Sequence, residues 1–247
     1  MKAVILAGGL GTRLRPFTQV IPKPLLPVGE SSVLEIQLLS LKRYGVDHVF
    51  IATNHLSDLV AAYIGDGSKF GVRVDFSRED KPLGTCGPVA LLREQLTEPF
   101  LLLNGDVLTT LDFGRAYEFA GQLDADLTVV TKEIVTPFAF GKVLGQGNYI
   151  QAVQEKPDIK FEILAGIYVL RPALFEMIPA DQPYGIDTLI HDLLKAGRRV
   201  GKYLMHEYWL DIGEQGTYEE AQGAYLAHFQ LLREPVIEVG GGAADPK

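Results

Sequence analysis

The chain is predicted to be an α/β protein, with a mostly parallel sheet covered on both faces and a small antiparallel insertion. Three observations predict this. Short β-rich apolar runs alternate with amphipathic helical stretches, the order expected of strands joined by crossover helices. The first apolar run, Ala3-Val-Ile-Leu-Ala7, ends in Gly8-Gly9, as a buried strand entering a turn does. From about residue 139 the alternation stops, and three strand-like runs follow closely without full helices between them.

In chain order, strands are expected at 3–7, 48–53, 73–76, 100–104 and 127–131. Helices are expected at 33–44, 57–64, 89–95, 113–122, 188–195 and 217–232. The helix at 33–44 sets Leu34, Leu38 and Leu41 on one face and leaves Lys42 and Arg43 outside. The insertion is read as strands at 140–144, 149–154 and 162–170, packed on the parallel half. One domain over residues 1–232 is expected, with a flexible tail at 233–247 that contains Gly240-Gly241-Gly242.

Composition narrows the function classes. Apolar residues make up 47% and charged residues 22%, which excludes disorder for most of the chain. A single cysteine, Cys86, rules out an intramolecular disulfide. No apolar run reaches membrane-spanning length, and the five-residue run at 3–7 is too short for a secretory core, so the cytoplasm is the expected compartment. A net charge of −8 argues against general nucleic-acid binding. Yet Lys2, Arg13, Arg15 and Lys23 all fall within the first 29 residues, where there is no Asp or Glu. That asymmetry is either chance or a local anion site in an acidic protein.

The segment from Leu6 to Pro16, LAGGLGTRLRP, follows the first strand directly. Gly8, Gly9 and Gly11 let backbone amides approach a ligand, and consecutive amides in such a turn cradle an anion. Arg13 can grip phosphate oxygens bidentately. A dinucleotide fingerprint fails because its third glycine position holds Leu14, and no G-K-[ST] follows for a Walker loop. Then come four prolines in twelve residues: Pro16, Pro22, Pro24 and Pro27. They stiffen the path and present Lys23 on it.

With these residues set out, GGLGTRLRPFTQVIPKPLLPVG resembles the signature of the sugar-1-phosphate nucleotidylyltransferases, both G-G-x-G-T-R-L-x-P-x-T and P-K-P-L-x-P being unbroken. The resemblance runs from about residue 1 to 232 and looks most like the mannose-1-phosphate guanylyltransferases. Later stretches match in order: Glu79-Asp80-Lys81-Pro82-Leu83-Gly84-Thr85-Cys86-Gly87-Pro88, Asn104-Gly105-Asp106, Phe140-Gly141-Lys142-Val143, Glu155-Lys156-Pro157, Ala165-Gly166-Ile167-Tyr168 and Trp209-Leu210-Asp211-Ile212-Gly213. The resemblance implies a Rossmann-like mixed sheet with an inserted sugar-binding part, the nucleotide-diphospho-sugar transferase fold. It implies the reaction NTP + sugar 1-phosphate → NDP-sugar + pyrophosphate, with Mg²⁺.

It also implies roles. Leu6, Ala7, Gly8, Gly9, Gly11, Thr12 and Arg13 would hold the nucleotide, with Glu79, Pro82, Gly84 and Thr85 at its base. Arg13, Lys23, Asp106 and Asp211 would be catalytic. Mg²⁺ would sit on Asp106 and Asp211, each of which follows an apolar β-like run. Gly141, Glu155, Lys156 and Gly166 would bind the sugar phosphate. The chain departs from the pattern at Leu164, where many members have Asn, at Cys86, usually Ala, and at Ser31-Ser32-Val33, where a serine can cap the following helix.

The chemistry needs no covalent intermediate and no general base, because a sugar phosphate is already an anionic nucleophile. The difficulty is repulsion between two anions, so charge neutralisation and alignment for in-line displacement should dominate. The histidines at 48, 55, 191, 206 and 228 show no ligand spacing. For the base, guanine offers N1–H and N2–H₂ donors on one edge, and a carboxylate at Glu79 could accept both. The PKPLLPV and PLGTCGPV stretches also resemble guanylyltransferases more than thymidylyltransferases, so GTP is favoured, and the resemblance implies mannose or heptose 1-phosphate as its usual partner. CTP, UTP or dTTP with glucose 1-phosphate stays open, as does Glu79 as a solvated charge. A non-catalytic regulatory homologue is a rival, disfavoured by the intact Arg13, Lys23, Asp106, Lys156 and Asp211. An NAD-linked oxidoreductase and a phosphocholine-type cytidylyltransferase fit less well. Partners are an NTP and a sugar 1-phosphate, with no nucleic acid and no membrane; a homodimer is compatible, but no interface is legible.

Overall fold

A computed structural model describes residues 1–54 and 56–233. The strands in order are β1 (Lys2–Leu6), β2 (Pro27–Val28), β3 (Ser31–Ser32), β4 (His48–Thr53), β5 (Arg73–Arg78), β6 (Phe100–Asn104), β7 (Val107–Thr109), β8 (Leu127–Pro137), β9 (Lys142–Gln146), β10 (Tyr149–Gln154), β11 (Asp158–Leu170), β12 (Val200–Met205) and β13 (Trp209–Asp211). The helices are α1 (Val33–Arg43), α2 (Ser57–Ile64), α3 (Gly87–Ala90), α4 (Phe113–Gln122), α5 (Ile186–Lys195) and α6 (Gln215–Ala224).

The seven-stranded central sheet has the order β12-β8-β11-β6-β1-β4-β5. All its pairings are parallel except those of β11, which runs antiparallel to both β6 and β8. This is the mixed, mostly parallel sheet of the predicted class. Alternation along β1 feeds two cores. Ala3 and Ile5 join the core covered by Leu34, Leu38 and Leu41 of α1, Val60 and Ile64 of α2, and Phe113 and Ala116 of α4. Val4 faces the opposite core with Val89 of α3 and Leu189 and Leu193 of α5. A third cluster joins Leu14 and Leu26 of the opening segment to Val33 and Ile36 of α1, Leu108 of β7, Leu210 of β13 and Phe229.

The topology reverses between β1 and β6. The chain goes from β1 outward to β4 and β5, then returns to place β6 on the other side of β1. Leu6 and Asn104 lie side by side at the carboxyl ends of these strands. That is the switch point where open α/β sheets leave a crevice.

Several boundaries differ from the sequence reading. The 89–95 helix is the short α3, which starts earlier because Pro88 fixes its first turn, and 91–95 continue as turns. The 217–232 helix begins at Gln215, keeps α geometry to Ala224, then widens over Tyr225–Phe229 and tightens over Gln230–Arg233. Strand β12 was missed: its Gly201 and Lys202 and its half-buried edge position give no clean alternation.

The insertion also differs. Strand β11 is a member of the main sheet, and the β9–β10 hairpin does not pack on the parallel half; every residue from 138 to 156 is exposed. Strands β8 and β11 run beyond the core as a largely exposed two-stranded extension of mixed polar and apolar residues, with Val135, Phe161 and Leu164 in the open, and the sequence reading truncated it because no core covers either face. Of the expected tail at 233–247, residues 234–247 lie outside the described residues. No helix among the described residues is long and apolar enough to cross a membrane.

Ser32 does cap α1. Its hydroxyl oxygen accepts from Glu35 N–H at 3.2 Å, and the Glu35 carboxylate accepts from Ser32 N–H at 2.7 Å. Ser32→Ala should therefore cost about 1 kcal/mol of stability, read as a lower urea midpoint at unchanged m-value.

Candidate active site

At the switch point lies a cavity of about 430 Å³. Thirteen of its lining positions were named from the sequence as nucleotide-side or catalytic: Leu6, Ala7, Gly8, Gly9, Gly11, Thr12, Arg13, Lys23, Glu79, Pro82, Gly84, Thr85 and Asp106; the fourth catalytic candidate, Asp211, is not part of the lining.

The opening loop is pinned by local bonds. Gly11 has φ +58°, and a Cβ there would come within 2.7 Å of the Thr18 methyl. The Thr18 hydroxyl donates to Gly11 O at 2.8 Å. Leu14 is buried in the third core cluster and anchors the tight turn Thr12–Leu14, which leaves the Arg13 side chain exposed. Lys23 opens a second tight turn, Lys23–Leu25, in which Pro24 is buried, as is Leu26 just after it. The Lys23 side chain is 11% exposed, and its ammonium donates to and ion-pairs with Oδ2 of Asp106.

Asp106 follows β6 through Gly105, which has no room for a side chain: a Cβ would sit 2.4 Å from the Leu6 carbonyl oxygen. Gly105 N–H donates to that same carbonyl at 2.9 Å. Asp211 arrives from the far end of the chain. Strand β13 pairs with β7 so that Asp211 stands opposite Val107, and Ile212 N–H donates to Asp106 O at 2.9 Å. Trp209 Nε1–H donates to Ala165 O at 2.8 Å and holds β13 against β11.

The two aspartates therefore share one site with Lys23 and Arg13. Burial, and then the Asp106 charge, push the Asp211 carboxyl above its ordinary pKa, while Lys23 and Arg13 pull it down. Oδ1 of Asp211 is buried and has no hydrogen-bond partner. Among the described residues no group of three or more His, Cys, Asp or Glu could hold a metal. A metal here would have the two carboxylates plus ligand oxygens, which suits Mg²⁺, a hard ion that commonly takes one or two carboxylates together with phosphates.

Glu79 is not a solvated charge. It is 8% exposed, and Oε2 accepts from Leu83 N–H at 2.9 Å. Oε1 lies 3.1 Å from where a Cβ on Gly8 would sit. Burial raises its pKa, and the Leu83 hydrogen bond opposes that rise. Thr85 spends its hydroxyl oxygen on Ile186 N–H at 2.7 Å, so it secures the start of α5 beside the cavity.

The four sugar-side candidates stand outside the lining of this cavity. Gly166 (φ +71°) adjoins Asn104, where a Cβ would meet Nδ2 at 2.7 Å. Gly141, Glu155 and Lys156 are exposed by the β9–β10 hairpin, with Gly141 beside Glu155 Oε2 and Lys156 at φ +42°. Sequence reasoning missed Pro24, Asn54, Leu83, Pro88, Asn104, Gly105 and Gly213 in the lining. Asn54 and Asn104 stand at or just after the ends of β4 and β6, where the strand-end rule could have found them.

Comparison with known proteins gives a consistent picture. A family model described as nucleotidyl transferase matches residues 2–228. The chain is 33% identical to the mannose-1-phosphate guanylyltransferase catalytic subunit beta of Xenopus tropicalis, over 98% of this chain and 69% of that one. It is 32% identical to a UTP–glucose-1-phosphate uridylyltransferase of Synechocystis, over 98% and 68%. The structure of HddC from Yersinia pseudotuberculosis superposes with a TM-score of 0.72 at 26% identity, covering 91% of this chain and 99% of that chain.

The raised pKa of Asp211 has a consequence for stability. The folded state holds this proton more firmly than the unfolded chain, so near neutral pH its charge opposes folding. Asp211→Asn should raise the urea midpoint. A lowered midpoint would show that the carboxylate stabilises the fold.

Proposed function

The chain belongs to the nucleotidyl transferase family as a sugar-1-phosphate nucleotidyltransferase, and from that premise we propose that it joins GTP to mannose or heptose 1-phosphate. The observation that carries this reading is that Arg13, Lys23 and Asp106 line a glycine-rich cavity whose wall also holds the buried Glu79 carboxylate, with Asp211 behind the lining and within the electrostatic reach of all three.

In this reading the amides of 8–12 and Arg13 hold the β- and γ-phosphates. Lys23 leaves Asp106 and neutralises charge around the α-phosphate. Asp106 and Asp211 would hold Mg²⁺, which when bound neutralises the nucleotide and attacking phosphates; the unpaired Asp211 oxygen fits that use. Lys156 takes the sugar phosphate, and Gly141, Glu155 and Gly166 orient the ring. An oxygen of the sugar phosphate forms the new bond to the α-phosphorus. The α–β bridging bond breaks in line, and its electron pair leaves on pyrophosphate. Residues 1–232 act as one catalytic unit in the cytoplasm.

Glu79 selects the base. One of its lone pairs is taken by Leu83 N–H, which leaves carboxylate acceptors for guanine N1–H and N2–H₂. A second reading, UTP with glucose 1-phosphate, draws on the similarity to the Synechocystis uridylyltransferase.

Pyrophosphate release, measured with four NTPs against a panel of sugar 1-phosphates, should give the highest kcat/KM for GTP with mannose or heptose 1-phosphate. A maximum with UTP and glucose 1-phosphate establishes the second reading, and no turnover with any pair makes the chain a regulatory homologue. Arg13→Ala and Asp106→Ala should each lose at least about 100-fold in kcat while staying folded.

Glu79→Gln should lower kcat/KM for GTP by about 10- to 100-fold, the worth of one charge-assisted hydrogen bond, and change UTP use little. Because the carboxyl pKa is raised, GTP affinity should fall on acidification at a pH above that of an ordinary glutamate, as protonation removes an acceptor. In Glu79→Gln that acid limb should disappear from the KM profile.

A further inference from the structure

Below the Gly105-Asp106 turn lies a side chain that the reaction scheme does not use. Gln37, on α1, is 4% exposed. Its single amide nitrogen donates to Asn104 O at 2.9 Å and to Val107 O at 2.9 Å, one N–H to each. These carbonyls flank the dipeptide that carries Asp106. The amide oxygen of Gln37 is buried without a hydrogen-bond partner.

We propose that Gln37 is a positioning residue for the paired aspartates, its amide clamping both ends of the Gly105-Asp106 turn. The rest of that turn is fixed elsewhere: Gly105 N–H on Leu6 O, and Asp106 O on Ile212 N–H. The Asn104 and Val107 carbonyls accept from Gln37. Val107 is also the register partner of Asp211, so the same amide supports the strand pair that brings the second carboxylate in. A buried amide oxygen left unpaired costs about 1–3 kcal/mol, and a folding role alone would be served without that cost by a group fully satisfied in place. The side chain must offer two donors from one atom at glutamine's reach. Asn is one methylene short, Glu at neutral pH has no donor, and Met has the length but no N–H.

The inference rests on the reading that Asp106 and Asp211 hold the metal. The test therefore measures metal binding apart from turnover. Mn²⁺ is titrated by electron paramagnetic resonance into parent, Gln37→Met, Gln37→Asn and Leu38→Val enzymes, each with a non-hydrolysable NTP analogue. The kcat and KM values and the urea midpoints are measured in parallel. Leu38 neighbours Gln37 on α1 and is fully buried in the core, so its variant reports destabilisation alone.

Both Gln37 variants should weaken Mn²⁺ binding and lower kcat by about 10-fold or more, the usual effect of removing a group that orients metal ligands. The KM for the nucleotide should stay within about threefold, because the glycine loop carries that affinity. Leu38→Val should lose stability and keep both kcat and Mn²⁺ affinity. If Gln37→Met does not fold, the shorter Gln37→Asn decides alone. Mn²⁺ affinity and kcat within twofold of the parent in a folded Gln37 variant, or losses matched by Leu38→Val, would overturn the proposal. A parent that binds no Mn²⁺, or binds it equally well as Asp106→Ala, overturns the metal reading and this inference with it. Parent binding that is lost in Asp106→Ala but kept in the Gln37 variants overturns the inference alone.

Discussion

The structure depends on a balance of charge at one point. Asp106 and Asp211 are brought together in a partly buried place, where burial and the Asp106 charge oppose the ionisation of Asp211. Lys23 makes the arrangement tolerable by pairing with Asp106, and Arg13 adds a second positive field beside Asp211. Both cations come from the opening segment, which holds no acidic residue before Glu30. A site built of opposed charges in low dielectric is costly to assemble and is well suited to meeting a highly charged ligand. The sequence places this positive charge beside the glycine loop, on the same cavity as Asp106.

The backbone sets that balance through three connections. The β1–β6 pairing puts the glycine loop beside Gly105-Asp106. The β7–β13 pairing carries Asp211 in from a segment more than a hundred residues later. The third core cluster packs Leu14 and Leu26, which flank Arg13 and Lys23, against Leu108 and Leu210 beside the aspartates. Displacing any of these would separate the charges without touching a charged residue. Gln37 belongs to the same framework from below, because its amide ties α1 to the turn that the aspartate leaves from.

Much of this was legible in advance because the signals are local. The glycine loop, the proline-locked lysine and the serine cap each work within a few residues of chain, and each lies where it was expected. Central strands were found because burial on both faces gives unbroken apolar runs. Elements failed where burial does not mark them. The outer halves of β8 and β11 face water, β12 is a half-buried edge, and the end of α6 changes its helical pitch. Glu79 could be read as a surface charge from sequence; only the packing around it makes it a buried acceptor. Gln37 carries no motif at all, and its role depends on two carbonyls about seventy residues away.

The sequence by itself determined the fold class and the reaction family, and it marked the opening segment as stiff, glycine-rich and basic. These rest on residue types acting through short spans of backbone: glycines for close approach, prolines for stiffness, basic groups for phosphate. Tertiary structure alone decided which charges meet, which carboxylate is buried and which hydrogen-bond donors remain for the turn beneath them. Those outcomes depend on distances between segments far apart in the chain. Such distances are fixed by strand register and core packing, which residue order does not state.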